Sequence, residues 1–69
     1  MIDTLVYLDK HFRSRTRKAA SSLWKEMVAW LRENNVKYSL YHSEHGNPLP
    51  NGLYISSEDA LMFRLKFGI

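Results

Sequence analysis

Three short apolar stretches along the chain predict β-strands. Residues 4–9, TLVYLD, are rich in β-branched and aromatic side chains, which favour a first strand. Residues 36–43, VKYSLYHS, alternate apolar and polar positions and predict a second, half-buried strand. Residues 53–56, LYIS, predict a third strand. The Gly, Pro and Asn content of the segment before it predicts a long hairpin between the last two strands.

A helical spacing of apolar residues separates the first two strands. These residues recur at three- and four-residue intervals and form one stripe of an amphipathic helix: Ala20, Leu23, Trp24, Met27, Val28, Leu31. The tripeptide ENN should end this helix, because Asn34 or Asn35 can take the left-handed conformation of a C-cap.

The last segment, SSEDALMFRLKFGI, fits two structures. Its alternating apolar residues would suit a strand: Leu61, Phe63, Leu65, Phe67. Against this, Ser56 and Asp59 form a helix start signal, and Gly68 lies where a C-cap glycine would stand. Ala60, Phe63 and Phe67 also share one helical face. We favour a helix, since capping, first-turn acids and terminal glycine agree.

The predicted order is β-α-β-β-α, an α+β fold in a single domain of residues 1–69. If the second and third strands form a hairpin and the third lies beside the first, the sheet order is 1-3-2. A right-handed first crossover would then place both helices on one face of the three-stranded sheet. This topology resembles a ferredoxin-like half-sandwich that lacks the last strand, a comparison that carries no function.

Length and composition limit the classes of protein. A chain of 69 residues without cysteine has a small core and no disulfide or thiolate zinc site to support it, and a homodimer is one common remedy. No apolar run approaches the ~20 residues of a membrane span. The N-terminus, MIDTLVYLDK, lacks the basic and apolar regions of a signal peptide. We therefore expect a soluble cytoplasmic protein with no membrane contact.

The positive charge is concentrated in one segment. The chain carries a net charge of +3, but the stretch KHFRSRTRKAASSLW (residues 10–24) contains half of its basic residues and no acid. These five cations, here called the basic segment, precede the apolar stripe of the first helix: Lys10, Arg13, Arg15, Arg17, Lys18. A helix N-terminus disfavours cations, so the position needs an explanation.

Two explanations for the basic segment stay open. If Ser14 or Thr16 is the N-cap, the cations lie at the helix start and mark an anion site, where backbone N–H groups and arginine side chains bind together. If the helix begins later, at Ser21 or Ser22, the cations lie in a solvated loop and serve solubility.

The alternation within the strands also predicts a tyrosine surface. When the apolar partners of each strand point inward, Tyr7, Tyr41 and Tyr54 point outward, one per strand, with Lys37 beside them. Such a face could stack on nucleic acid bases or be buried against a protein. Because no RNA-binding aromatic-glycine motif is present, we favour protein contact.

Catalytic and metal chemistry find little support in the sequence. His42, Glu44 and His45 suggest a metal site, but two histidines in a flexible loop form a poor ligand set, and the zinc deaminase signature requires cysteines that the chain lacks. No nucleophile elbow or phosphate-binding loop occurs. We expect neither metal nor cofactor, and we nominate no catalytic residue.

The C-terminal stretch YISSEDALMFRLKFG resembles the C-terminal pattern of many small uncharacterised tailed-phage proteins. In that pattern a strand and a short acidic turn precede Asp-Ala, then Phe, two basic residues around Leu, an aromatic residue and Gly: Asp59, Ala60, Phe63, Arg64, Leu65, Lys66, Phe67, Gly68. The resemblance covers about a fifth of the chain. It implies a viral origin and an amphipathic helix docked on a strand, and it supplies no catalytic residues.

These observations favour a small non-enzymatic binding protein. It would engage an acidic partner through the basic segment at the start of helix 1, and the resemblance implies a host protein as that partner. The alternative is a nucleic-acid-binding protein that uses the same cations together with the sheet-face tyrosines.

Overall fold

A computed structural model of the chain describes residues 1–42 and 49–69. Within these residues three strands and three helices follow one another in the order β1 (Thr4–Tyr7), α1 (Asp9–Arg13), α2 (Arg17–Glu33), β2 (Ser39–Tyr41), β3 (Gly52–Ile55) and α3 (Ser57–Phe67). The protein has an α+β fold around a three-stranded antiparallel sheet. The strand order is β1-β3-β2, as predicted.

The register of the sheet determines which side chains share a face. Val6 of β1, Leu53 of β3 and Leu40 of β2 form one cross-strand row. Because neighbouring residues of a strand point to opposite faces, the rows on either side of it lie on the other face. Those rows are Leu5–Tyr54–Ser39 and Tyr7–Gly52–Tyr41.

The core is a single cluster of apolar side chains. It combines residues of the sheet with residues of the helices and also includes Leu8 and Val36, which lie just outside the strands: Val6, Leu8, Phe12, Ala20, Met27, Leu31, Val36, Leu53, Ile55, Ala60, Phe63. Trp30 of α2 packs edge-on against Phe63 and Phe67 of α3, which ties the two longer helices together. In the described residues the core contains no buried polar or charged side chain.

α2 begins with one of the predicted caps. The hydroxyl of Thr16 accepts a hydrogen bond from the Ala19 backbone N–H at 3.2 Å, so the helix starts at Arg17. The alternative start at Ser21 or Ser22 is wrong, because both residues lie inside α2.

The end of α2 explains why β2 is shorter than expected. Asn35 takes the left-handed conformation (φ 53°), and the Val36 N–H donates to the Leu31 carbonyl at 2.9 Å. Together with the Asn35 N–H on the Arg32 carbonyl, these bonds form a Schellman motif. Val36 therefore closes the helix and packs in the core, and the strand predicted from residue 36 begins only at Ser39.

α3 confirms the helical alternative for the last segment. Ser56 Oγ accepts from the Asp59 N–H at 3.2 Å and donates to the Asp59 carboxylate at 2.8 Å, a reciprocal capping arrangement. At the other end Gly68 has φ 69°, a left-handed conformation that glycine adopts without a steric cost.

The short helix α1 was not predicted. The first strand, expected over residues 4–9, ends at Tyr7, and Asp9–Arg13 turn into a helix of five residues. The Leu8 and Asp9 N–H groups both donate to the Asn51 carbonyl, and Phe12 is buried edge-on against Trp24. These contacts hold one turn of helix that has too few residues to show an apolar repeat in the sequence.

Candidate functional site

The basic segment is divided among three structural elements. Lys10 and Arg13 belong to α1, Arg15 lies in the connection, and Arg17 and Lys18 form the first turn of α2. All five residues are exposed. Arg13 is the last residue of α1, where positive charge is favourable, whereas Arg17 and Lys18 lie at the amino end of α2, where it is not. The segment therefore contains two electrostatically different parts.

Arg13 and Arg15 have partners within the chain. The Arg13 guanidinium lies 3.9 Å from the Asp9 carboxylate, one helical turn earlier. Arg15 donates to the His11 carbonyl at 2.7 Å, and the Ser14 hydroxyl donates to the same carbonyl. These bonds satisfy a carbonyl that the end of a short helix leaves open. Arg15 therefore has a structural role in addition to its charge.

Lys10, Arg17 and Lys18 form neither an ion pair nor a side-chain hydrogen bond with any described residue. The first turn of α2 contains no acid, and the first anion along the chain after Asp9 is Glu26. The amino end of a helix carries about half a positive charge from its unpaired N–H groups. Arg17 and Lys18 add to that charge, so the positive charge at this end of α2 is not balanced by an acid of the first turn.

The basic surface also extends along α2, a feature that was not predicted. Lys18, Lys25 and Arg32 are spaced seven residues apart, and all three are exposed. Seven residues are close to two helical turns, so these cations follow one line on the side opposite the buried residues of the helix. The line is about 21 Å long at 1.5 Å per residue. Their spacing was visible in the sequence, but it had meaning only once the helix was known to run from Arg17 to Glu33.

The three predicted outward tyrosines lie on one face of the sheet. Tyr7, Tyr41 and Tyr54 share the face defined by the register, together with Leu5. Tyr41 and Tyr54 are half-buried and contact each other edge-on with ring centroids 6.3 Å apart, while Tyr7 is 62% exposed. We call these four residues the tyrosine face. Lys37 is exposed but precedes β2, so the register does not place it on this face.

Gly52 forms the floor of the tyrosine face between Tyr7 and Tyr41. A Cβ atom at this position would lie 2.9 Å from Leu5 Cδ1 and 3.0 Å from the Val6 carbonyl oxygen. The absence of a side chain at Gly52 therefore lets Leu5 and Tyr41 approach the backbone of β3 closely.

Of the three residues considered for a metal site, only His42 lies in the described part of the chain. His42 is exposed, while Glu44 and His45 lie outside the described residues. Residues 1–42 and 49–69 contain no group of three side chains arranged to hold a metal ion. An open groove between α2 and α3 is lined by both charged and apolar side chains: Glu26, Ala29, Trp30, Glu33, Lys66, Phe67. The ionisable side chains of this groove, Glu26, Glu33 and Lys66, are exposed.

In the part of the chain that the structure describes, no helix has both the length and the apolar character needed to cross a bilayer. Comparison with protein family models, curated proteins and solved structures found no match to this chain.

Proposed function

We propose that this protein is a non-enzymatic binding protein that engages an acidic protein partner through the basic segment. The observation that carries the proposal is the first turn of α2, where Arg17 and Lys18 stand exposed beside the helix N-terminus without an anion from the described chain. Each such cation lowers the stability of the isolated helix by about 0.3–1 kcal/mol. An acidic side chain of a partner would turn this repulsion into affinity.

The shape of the basic surface favours an elongated partner. Lys18, Lys25 and Arg32 continue the charge along the outer side of α2 from the end that carries Arg17. An acidic helix or extended acidic peptide could meet these cations in sequence, because its carboxylates repeat at a comparable spacing. Arg17 would add a bidentate contact to the first carboxylate.

The resemblance of residues 54–68 to small tailed-phage proteins supports a phage origin for the chain. The proposed partner is then a host protein, and the site of action is the host cytoplasm. This part of the proposal rests on the C-terminal motif, in which Ala60 and Phe63 are core residues and therefore carry no information about the partner.

We also propose the ferredoxin-like half-sandwich as the architecture, with α2 and α3 on the same face of the sheet. It is supported by the shared core, since Met27 of α2 and Phe63 of α3 belong to one cluster with Val6 and Leu53 of the sheet. The opposite face would then be left for a second contact, and it is the tyrosine face. Tyrosine is enriched in protein interfaces because it combines apolar area with a hydroxyl group.

The second candidate function is nucleic acid binding. The observation that favours it is the placement of Tyr7, Tyr41 and Tyr54 on three neighbouring strands, since aromatic side chains on a sheet can stack on successive bases. The basic segment would then contact phosphates. Protein binding is the better proposal because the rings of Tyr41 and Tyr54 pack on each other and leave less of each ring available for stacking.

Two matched variants test the basic segment. R17A/K18A removes two exposed cations at the start of α2, and R64A/K66A removes two exposed cations from α3 with the same change in net charge. Binding of a fluorescent twenty-residue polyglutamate peptide should weaken about tenfold in R17A/K18A and change much less in the control, since each lost tenfold corresponds to about 1.4 kcal/mol. If both variants lost the same affinity for the peptide, binding would depend on net charge alone, and this would contradict the proposal.

Salt dependence separates the two candidate functions. A protein that contacts several phosphates loses affinity with a slope of nearly one log unit of salt per phosphate. Labelled single-stranded DNA and RNA should therefore be titrated at low and moderate salt. If neither binds at low salt, nucleic acid binding is wrong. If both bind with a steep slope and Y54A abolishes the binding, the second candidate replaces the first. With a partner captured from host lysate, R17A/K18A should lose the partner and R64A/K66A should keep it.

A further inference from the structure

Helix α3 is apolar on two opposite sides. Ala60 and Phe63 are buried, and Phe67 packs against Trp30, so these residues form the side that faces the core. A second apolar set points to solvent: Leu61, Met62 and Leu65 are 63%, 53% and 76% exposed. We call this second set the outer stripe.

The outer stripe has the geometry of a packing surface. At 100° per residue, Leu61, Met62 and Leu65 cluster within one side of the helix, and the centre of that side lies about 180° from the centre of the buried set. Met62 and Leu65 are three positions apart and Leu61 and Leu65 are four apart, the spacings that place side chains side by side on a helix and by which one helix contacts another. A helix that is apolar on both sides is normally covered on both sides. In the described structure α3 has a partner on the inner side only.

The charges of α3 are sorted along its axis. Glu58 and Asp59 occupy the first turn, and Arg64 and Lys66 occupy the last. Within the described residues none of these four side chains forms an ion pair, and the Asp59 carboxylate accepts only from Ser56. Acids and bases are separated by about two turns, roughly 12 Å between Glu58 and Lys66 at 1.5 Å per residue. Leu61 and Met62 lie between the acidic and basic residues, and Leu65 lies between Arg64 and Lys66.

We propose that the outer stripe is a self-association site, which a second copy of α3 covers in antiparallel orientation. A two-fold axis midway between Leu61 and Leu65 would place Leu61 of each copy against Leu65 of the other. It would also bring the acidic first turn of one helix beside the basic last turn of its partner, at both ends of the pair. A parallel arrangement would instead juxtapose like charges, so the charge order selects the antiparallel pair.

Two other kinds of partner fit the outer stripe less well. An anionic membrane surface would attract Arg64 and Lys66 but repel Glu58 and Asp59 at the other end of the same helix. The acidic partner proposed for the basic segment would meet the same two carboxylates. A second copy is the partner for which both ends of α3 are complementary, because each copy supplies the charges that the other needs.

The size of the stripe predicts a weak dimer. A stable interface uses about 20–30 residues on each side, and the outer stripe offers three apolar side chains with their charged neighbours. Association should therefore be in rapid exchange, and it should become visible at protein concentrations between about 0.05 and 1 mM. This proposal does not rest on the basic segment, which lies on other elements.

Sedimentation velocity over that concentration range tests the proposal with two variants. L61S/L65S removes the outer stripe and should leave a monomer at about 1 mM, without loss of fold, because both side chains are exposed. Y7S removes a comparably exposed side chain from the tyrosine face and should dimerise like the unchanged protein. Far-UV circular dichroism checks that all three chains keep the same helix content.

Charge exchange tests the antiparallel orientation. E58K leaves a cation at both position 58 and position 66 of α3, and K66E leaves an anion at both positions. Each variant alone should therefore associate more weakly than the unchanged chain. An equal mixture of E58K and K66E should recover the association, because every end contact is then between opposite charges. The double variant E58K/K66E should also recover it, with the charge order reversed.

Three results would overturn the proposal. The unchanged protein could stay monomeric at 1 mM. The dimer could persist in L61S/L65S and disappear in Y7S, which would assign self-association to the tyrosine face. Or the chain could stay monomeric and bind vesicles of anionic phospholipid through Leu61 and Leu65, which would make the stripe a membrane contact. Weakening in E58K and K66E without recovery in their mixture would overturn the antiparallel orientation.

Discussion

The two longer helices, α2 and α3, begin with the same kind of cap but differ in the charge of their first turns. Thr16 and Ser56 each accept a hydrogen bond from the backbone N–H three residues later. The first turn of α3 then carries two acids, whereas the first turn of α2 carries Arg17 and Lys18. Local charge thus supports α3 and opposes α2, although both helices pack on the same core.

The solvent-facing sides of α2 and α3 also differ, since one is basic and the other is apolar. α2 presents Lys18, Lys25 and Arg32 to solvent, while α3 presents Leu61 and Leu65. Each helix therefore has one feature that does not serve the isolated fold: unopposed charge on α2 and exposed apolar area on α3. These two features are the ones from which the contacts with an acidic partner and with a second copy are proposed. The two helices thus present two chemically different surfaces, one basic and one apolar.

The largest expected effect separates the inner and outer sides of α3. Phe63 is fully buried and contacts both Trp30 and Phe67, so F63A should lower the free energy of unfolding by about 3–5 kcal/mol. L65A should change it by no more than about 0.5 kcal/mol, because the side chain is exposed. Urea unfolding at about 10 µM, where self-association is negligible, measures both. A cost for L65A close to that of F63A would mean that the outer stripe is buried in the monomer.

The caps should show the next largest effect. S56A removes a hydroxyl that both accepts from and donates to Asp59, and it should cost about 1–2 kcal/mol. T16A removes only an accepted bond and should cost about 1 kcal/mol. Thermal unfolding followed by circular dichroism measures both. Equal costs would indicate that the reciprocal bond of Ser56 adds nothing to α3.

First-turn charge should act with opposite sign in the two helices. R17E should raise the free energy of unfolding by about 0.3–1 kcal/mol, since it replaces an opposing charge with a favourable one, and E58K should lower it by a similar amount. Both effects should shrink in 1 M NaCl, where charges are screened. R17E should also weaken binding of an acidic peptide. A stabilised variant that binds as well as the unchanged chain would contradict the basic-segment proposal.

The smallest effect concerns the connection that leads into α2. R15A removes the bond to the His11 carbonyl and should cost about 0.5 kcal/mol, because the site is exposed to water. R64A, on an exposed position of α3, is the control and should cost less. If R15A and R64A lowered the free energy of unfolding equally, the bond of Arg15 to the His11 carbonyl would add nothing to stability.

Much of the fold was predictable because local signals and burial agree. The caps and acids of α3 outweighed an alternation that also fitted a strand, and the period of two placed Tyr7, Tyr41 and Tyr54 together before any strand pairing was known. α2 and the order of the sheet followed from the same patterns.

The remaining features depend on contacts between distant residues. α1 is held by Asn51 and by Phe12 on Trp24, neither of which shows in a five-residue stretch. Val36 is a β-branched residue of the kind common in strands, but here it is the apolar residue of the Schellman motif that ends α2. The division of the basic segment into paired and unpaired cations could not be predicted either, because it depends on the unpredicted helix α1.

The backbone of Asn51 has a consequence for the order of events during folding. Its carbonyl accepts from Leu8 and Asp9, and its N–H donates to the Tyr41 carbonyl at 2.8 Å, so it joins the start of α1 to the end of β2. The bonds to Leu8 and Asp9 span more than forty residues of chain, and such distant contacts close late because loop entropy must be overcome first. We therefore expect α1, with Lys10 and Arg13, to take its final position only after the sheet has assembled.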